Sequence, residues 1–196
     1  MSEIKSAFER AMERAERLGK ASEEDLNKWR YIPEGEGLAA RCLRDDCNIR
    51  IEIDKYDLAV RELVSQGAQK VLVRNLDLPR NEHARRMNKK VMEAVKELKQ
   101  DKVSTENVYT RMRRIFSHYE QEGQQQRQQA TEAVKREMET RMRAAAQQQL
   151  GPAASPRFNV EAQPEFQQEL RRVLAHLDSQ YLHVLDEYKE EILNIR

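Results

Sequence analysis

The chain has 196 residues, about the size of one ordinary domain, with 35% charged and 39% hydrophobic residues. Ala, Leu, Glu, Lys and Arg make up about half of it, whereas Gly and Pro number only 6 and 5, a balance that excludes a many-stranded β fold and points to long helices. A net charge of +1 sets up no global field toward nucleic acid or membrane, and no apolar run approaches the ~20 residues that cross a bilayer.

The opening Met-Ser-Glu-Ile-Lys has no apolar signal core, so the expectation is a cytoplasmic protein. Residues 2–19 read as an amphipathic helix. Ile4, Phe8, Ala11, Met12, Ala15 and Leu18 recur at three- and four-residue spacing, and Gly19 suits the stop. Ser22 with Asp25 resembles a capping signal for a short helical turn carrying Leu26 and Trp29. Pro33, Gly35 and Gly37 then predict a break into a loop. Ile49, Ile51 and Ile53 alternate with Arg50, Glu52 and Asp54, the one strand-like pattern in the chain. One strand makes no sheet, so base rates favour a helical or irregular conformation without deciding it.

A clearer helix begins at Asp57 and runs to about Asn75, with Leu63, Val64, Val71 and Leu72 on one face. The Asn75-Leu-Asp-Leu-Pro-Arg segment is a turn, and Pro79 suits the first helical position after it. The next helix, to about Gln100, is expected to bury Ala84, Met87, Val91, Ala94, Val95 and Leu98. From Ser104, a candidate N-cap, to Gln149 there is no proline and a single glycine, Gly123. As one helix this stretch would be about 68 Å long, longer than a compact domain of this size, so part of it would project. Gly151, Pro152, Ser155 and Pro156 form a linker. The last helix starts at Pro164, with a stripe of Phe166, Leu170, Val173, Leu177, Tyr181, Val184 or Leu185, Tyr188, Ile192 and Ile195. Its mean step of about 3.6 residues fits a straight amphipathic helix better than a strict heptad seam. Two long helices around a short linker make an antiparallel hairpin.

Chemistry is sparse. His176 and His183 lie about 10 Å apart along a helix, too far to share a ligand directly, and His118 with Glu122 is an ordinary helix pair. Cys42 and Cys47, five apart, read as buried or idle thiols, since a disulfide is unexpected in a cytosolic chain. Together with Asp45 and Asp46 they form the densest group of metal-ligand types, but a site there would need further ligands from elsewhere. No phosphate loop, nucleophile elbow or carboxylate-pair signature occurs. No catalytic, cofactor-binding or metal residue is therefore assigned, and the chain is read as a non-enzyme with no small-molecule substrate.

Two surfaces stand out. Arg80, Arg85, Arg86, Lys89 and Lys90, extended by Arg111, Arg113 and Arg114, are candidates for phosphate contact with nucleic acid. The plainer reading is a solvated helix face that pairs with the acidic C-terminal helix. The second surface is the Gln-rich half of the long helix, where Gln125, Gln129, Met138 and Met142 are candidates for a partner surface. Its plainer reading is a solvated hairpin tip.

Met1-Ser-Glu-Ile-Lys-Ser-Ala-Phe-Glu-Arg-Ala, Asn75-Leu-Asp-Leu-Pro-Arg-Asn-Glu and Pro164-Glu-Phe-Gln-Gln-Glu-Leu together resemble an uncharacterised bacterial family, of the kind known only as a domain of unknown function. The resemblance covers most of the chain and brings no activity, ligand or catalytic residue. It implies that the turn from Leu76 to Glu82 is a structural feature of the family.

The expected architecture is all-α: a compact helical base over residues 1–120, packed with the C-terminal helix, and a long antiparallel coiled-coil-like helical hairpin over 104–196 with its loop near 151–163. The expected role is a protein–protein interaction or scaffold module, with a protein partner or homo-oligomer. The alternative is a nucleic-acid- or ribosome-associated protein that grips the phosphate backbone through its basic helix.

Overall fold

The computed structural model describes residues 22–45, 47–150 and 159–196. The expected helix over 2–19 lies outside the described residues, as do Asp46 and most of the 151–163 loop. Seven α-helices and one short 3-10 turn account for nearly all that is described, and no strand occurs among the described residues. The fold is all-α. The chain divides into two compact units, Met1–Val73 and Arg74–Arg196.

The first unit contains α1 (Glu23–Asp45), α2 (Ile49–Ile53) and α3 (Leu58–Arg74, whose last residue opens the second unit). Helix α1 starts as its sequence suggests. The Asp25 N–H donates to Ser22 Oγ at 3.1 Å, and the Ser22 hydroxyl donates to the Asp25 carboxylate at 2.7 Å. It does not break at Pro33, Gly35 and Gly37, contrary to the expected loop. The reason is tertiary. A Cβ placed on Gly35 would stand 1.9 Å from the Val64 carbonyl oxygen, and one on Gly67 would stand 2.0 Å from that of Ile32. The backbones of α1 and α3 therefore touch, each through a glycine, and residues that look like loop formers are a helix crossing. Gly35, Ala39 and Cys42 are buried on this face of α1, opposite Val64, Ala68 and Leu72 of α3. Their burial outweighs an interior proline that would cost an isolated helix about 3 kcal/mol.

The isoleucine triplet is helix, not strand. Asn48 caps it by accepting the Ile51 N–H at 3.1 Å, which leaves Ile49 and Ile53 buried and Ile51 exposed. Cys42 and Cys47 are joined in a disulfide, with Cα atoms 4.6 Å apart, across the turn from α1 to α2. This corrects the reading of two idle thiols, which rested on an expected compartment and not on any geometry of the chain.

The second unit opens with the Leu76–Pro79 turn. Leu76, Leu78 and Pro79 are buried. The Asn88 side chain takes the Asp77 N–H at 3.0 Å and donates to the Asp77 carbonyl at 2.6 Å, so a buried amide holds the turn by its backbone. Helix α4 (Glu82–Leu98) begins three residues after Pro79, its expected first position, because Asn81 is the N-cap and receives the Ala84 N–H at 2.9 Å. Helix α5 (Lys102–Glu120) is capped by Asp101, with Ser104 donating to it rather than serving as the cap.

The run 104–149 is two helices, not one. Gln121 (φ −96°, ψ −82°) separates α5 from α6 (Glu122–Leu150). Gly123 sits just beyond it, where a Cβ would meet the Tyr181 hydroxyl at 3.1 Å. Helix α7 (Pro164–Asn194) has proline in its first turn, as expected. Arg111, Tyr119 and Lys135 contact Glu191, Asp178 and Glu161 in turn, so α7 runs antiparallel to α5 and α6. Lys99, buried at 4% exposure, donates to the Ile195 carbonyl at 2.5 Å and closes the C-terminal end of α7. Farther along, Val134, Val160 and Phe166 form a small buried cluster with Met138, Met142, Leu170 and Val173 packed on it.

Two outcomes follow for stability. Gly35→Ala should lower the unfolding free energy by about 3 kcal/mol, since backbone must separate from backbone. Gly37→Ala, whose Cβ meets nothing within 4 Å among the described residues, should raise it by about 0.5–1 kcal/mol. Urea denaturation of the two variants tests the crossing. Reduction of the Cys42–Cys47 bond should cost about 2 kcal/mol for so short a loop, seen as a lower urea midpoint with reductant that Cys42→Ser/Cys47→Ser reproduces without it.

Candidate functional site

The densest side-chain constellation of the second unit gathers where α5 gives way to α6 and α7 passes both. Its centre is Asp178 of α7. The Tyr119 hydroxyl donates to one Asp178 oxygen at 3.1 Å and Arg80 Nε to the other at 3.2 Å, while Arg127 stands 3.9 Å away. Arg80 is shared with Asp77, at 3.0 Å. Burial alone would lower the Arg80 pKa, but the carboxylates of Asp77 and Asp178 more than offset it, and the net shift is upward. Arg127 lies over the Tyr119 ring, 4.1 Å from its centroid, and donates to the Tyr119 carbonyl at 3.2 Å. Burial, then the Asp178 charge, pushes the Tyr119 phenol above its ordinary value. The phenol therefore stays a donor at neutral pH.

Tyr181 continues the cluster. Its ring meets Tyr119 edge-on at 5.1 Å, and its hydroxyl is 2.9 Å from His118 Nδ1. An open cavity of about 280 Å³ lies alongside, lined by Ile115, His118, Gln126, Gln180, Tyr181 and Val184. These groups hold three helices in register. Among the described residues no group of three or more His, Cys, Asp or Glu side chains is arranged to hold a metal ion.

The basic residues singled out in the sequence are mostly engaged within the chain. Arg80 is held in the Asp178 cluster. Arg85 bonds Glu120 at 2.6 Å and Glu82 at 3.2 Å, and Arg86 lies 3.6 Å from Glu82. Arg111 pairs with Glu191 and covers the Tyr188 ring at 5.0 Å, and Arg113 pairs with Glu106. Hydrogen bonds from Lys96 and then Arg113 hold the Glu106 carboxyl below its ordinary range. Lys90 is half-buried. Lys89 and Arg114 are exposed and have no charged partner among the described residues. Two of these pairs, Arg80–Asp178 and Arg111–Glu191, reach the acidic C-terminal helix.

The second candidate surface divides in two. Gln125 and Gln129 are exposed on α6, whereas Met138 and Met142 are half-buried against the Val134–Val160–Phe166 cluster. Sequence reading missed Asp178, Tyr119, Arg127 and Tyr181 as a group. One signal was present: Asp178 sits four residues from both Leu174 and Leu182, an acid within an otherwise apolar row.

A family model described as "Family of unknown function (DUF6657)" matches residues 51–194, well over half of the chain. The chain belongs to this family. No curated protein and no solved structure matches it.

The Asp178 cluster makes a direct prediction. Asp178→Asn should destabilise the protein by about 2 kcal/mol by leaving Arg127 without its carboxylate and Arg80 with Asp77 alone, and Tyr119→Phe by about 1 kcal/mol. If the two share one network, the double variant should lose less than the sum, as urea unfolding of the four-member cycle would measure.

Proposed function

We propose that this family member is a protein–protein interaction or scaffold module that presents its paired helices α6 and α7 to another protein chain, working through surfaces and not through catalysis. One observation carries the reading. Helices α6 and α7 have 29 and 31 residues, about 44 and 46 Å at 1.5 Å per residue. Yet between Phe166 and Leu185 no side chain of α7 is fully buried. Leu170, Val173, Leu174, Leu177, Tyr181 and Leu182 are all half-buried over that stretch. Two helices can cover only part of each other's apolar stripe, and a third element completes such a seam in most helical assemblies. Exposed Gln125 and Gln129 on α6 add amide donors and acceptors, which suit a polar rim.

The alternative, backbone contact with nucleic acid, draws its support from Lys89 and Arg114, the exposed cations left without a carboxylate partner. Five of the other candidate cations are already matched to carboxylates, which weakens a phosphate-binding field.

Pull-down of the tagged chain from its native cell extract, with and without nuclease, separates the two. The interaction reading expects a partner that survives nuclease and falls about tenfold in recovery with Gln125→Arg/Gln129→Arg, a change of about 1.4 kcal/mol. Loss of all partners on nuclease treatment, and on Lys89→Glu/Arg114→Glu, would overturn it.

A further inference from the structure

Gly35 and Gly37 are two residues apart on α1, yet only Gly35 is explained by packing. A Cβ at Gly37 would meet nothing within 4 Å among the described residues. Glycine inside a helix is less stable than alanine by about 0.5–1 kcal/mol, so Gly37 weakens α1 without serving any contact among the described residues. What it does is form the floor of an open cavity of about 430 Å³, a volume in the range of small-molecule sites.

The cavity is built from two short stretches. Glu34, Gly37, Leu38 and Arg41 occupy one face of α1 at i, i+3, i+4 and i+7. Glu52 of α2, with Lys55 and Tyr56 of the turn after it, stands opposite at i, i+3 and i+4. The Glu52 carboxylate bridges Arg41 at 2.9 Å and Lys55 at 2.6 Å, and the Lys55 hydrogen bond holds it below its ordinary range, so it remains charged. This bridge ties the two walls together, and the Cys42–Cys47 disulfide closes the turn between them. Arg41 and Lys55 keep further N–H donors after serving Glu52. The Tyr56 hydroxyl has no hydrogen-bond partner among the described residues. Glu34 has one distant contact, with Arg30 at 3.6 Å.

We propose that this cavity binds a small zwitterion of the α-amino-acid class, its carboxylate taken by Arg41, Lys55 and the Tyr56 hydroxyl and its ammonium by Glu34. The lining holds two cations and two anions. A simple anion would face Glu34 and Glu52, and a simple cation would face Arg41 and Lys55; only a ligand carrying both charges is matched to the set. Leu38 leaves room beside the charges for a modest apolar side chain, and the missing Cβ of Gly37 lets such a ligand lie against the helix backbone.

The test uses the full chain labelled for amide NMR, titrated with L-leucine, L-glutamine and glycylglycine, and in parallel with acetate and methylammonium. The site expects at least one zwitterion to shift the Gly37, Arg41, Glu52 and Tyr56 amides at about 1 mM, while neither single-charge control does so. Gly37→Leu fills the floor and should abolish the shifts without lowering the urea midpoint, since leucine is the better helix former. Glu34→Gln, which leaves the Glu52 bridge intact, should weaken binding about tenfold. No shift with any zwitterion at about 10 mM overturns the proposal. So do equal shifts from acetate or methylammonium, or undiminished binding in folded Gly37→Leu or Glu34→Gln.

Discussion

Helices in this protein approach one another only as closely as their smallest residues allow, and those contacts decide where everything else can sit. With 39% hydrophobic residues, the chain has little large side-chain volume to spread over so much helix. At the α1–α3 crossing it uses none: Gly35 faces the Val64 carbonyl and Gly67 faces that of Ile32, backbone against backbone. Apolar contact is made on either side of that point by Ala39 and Ala68, both fully buried, and by Leu72. Gly123 does related work in the second unit, letting the Tyr181 hydroxyl and Arg127 close over the start of α6. Dispersion and area burial reward such proximity only while no Cβ intervenes.

The same constraint explains which parts of the fold were legible in the sequence. Periodicity found α4 and α7 because their buried residues are mostly large and apolar, and it found α3 through Val64 and Leu72, although small residues such as Gly67 and Ala68 share its buried face. It also placed Pro164 correctly, because a proline in the first turn acts locally. It failed at Pro33, Gly35 and Gly37. Local propensity reads three breakers as a loop, whereas the residues that keep the helix intact are Val64 and Ala68, about thirty positions away. The division at Gln121 was hidden too: glutamine is a good helix former and carries no local signal for a break. The isoleucine triplet is a milder case. Its alternation suits a strand, but Asn48 provides a cap, and a five-residue helix can bury Ile49 and Ile53 while leaving Ile51 outside.

Charge was legible in amount but not in destination. A local excess of cations in α4 and of anions in α7 reads equally as an external binding face or as internal pairing. Arg80 and Arg111 do reach Asp178 and Glu191 on α7, yet Arg85 and Arg113 are matched by Glu120 and Glu106 of α5. Most of these pairs are surface pairs and contribute little to stability each. Their larger effect is on function, since a guanidinium already forked to a carboxylate is a poorer ligand for phosphate. Asp178 differs because Tyr119, Arg80 and Arg127 converge on one side chain from three stretches of chain. No spacing rule links positions 80, 119, 127 and 178.

Helix α1 shows most plainly why a candidate site escaped a reading by motif. Its 35/39/42 row is buried, while its 34/37/38/41 row borders the cavity facing α2. Two glycines separated by one residue thus point in opposite directions for opposite reasons. One is small because a carbonyl occupies the space a side chain would need, the other stands over space that nothing described fills. On paper they are the same letter in one Gly-Glu-Gly triplet, and they can be told apart only by what a Cβ would meet. The charges around the second glycine behave likewise. Arg41, Glu52 and Lys55 look like three ordinary surface residues until the α1–α2 turn sets them against each other. With Glu34 the resulting lining is neutral in sum and strongly polar in detail, and a composition that nets to +1 over the whole chain hides it completely.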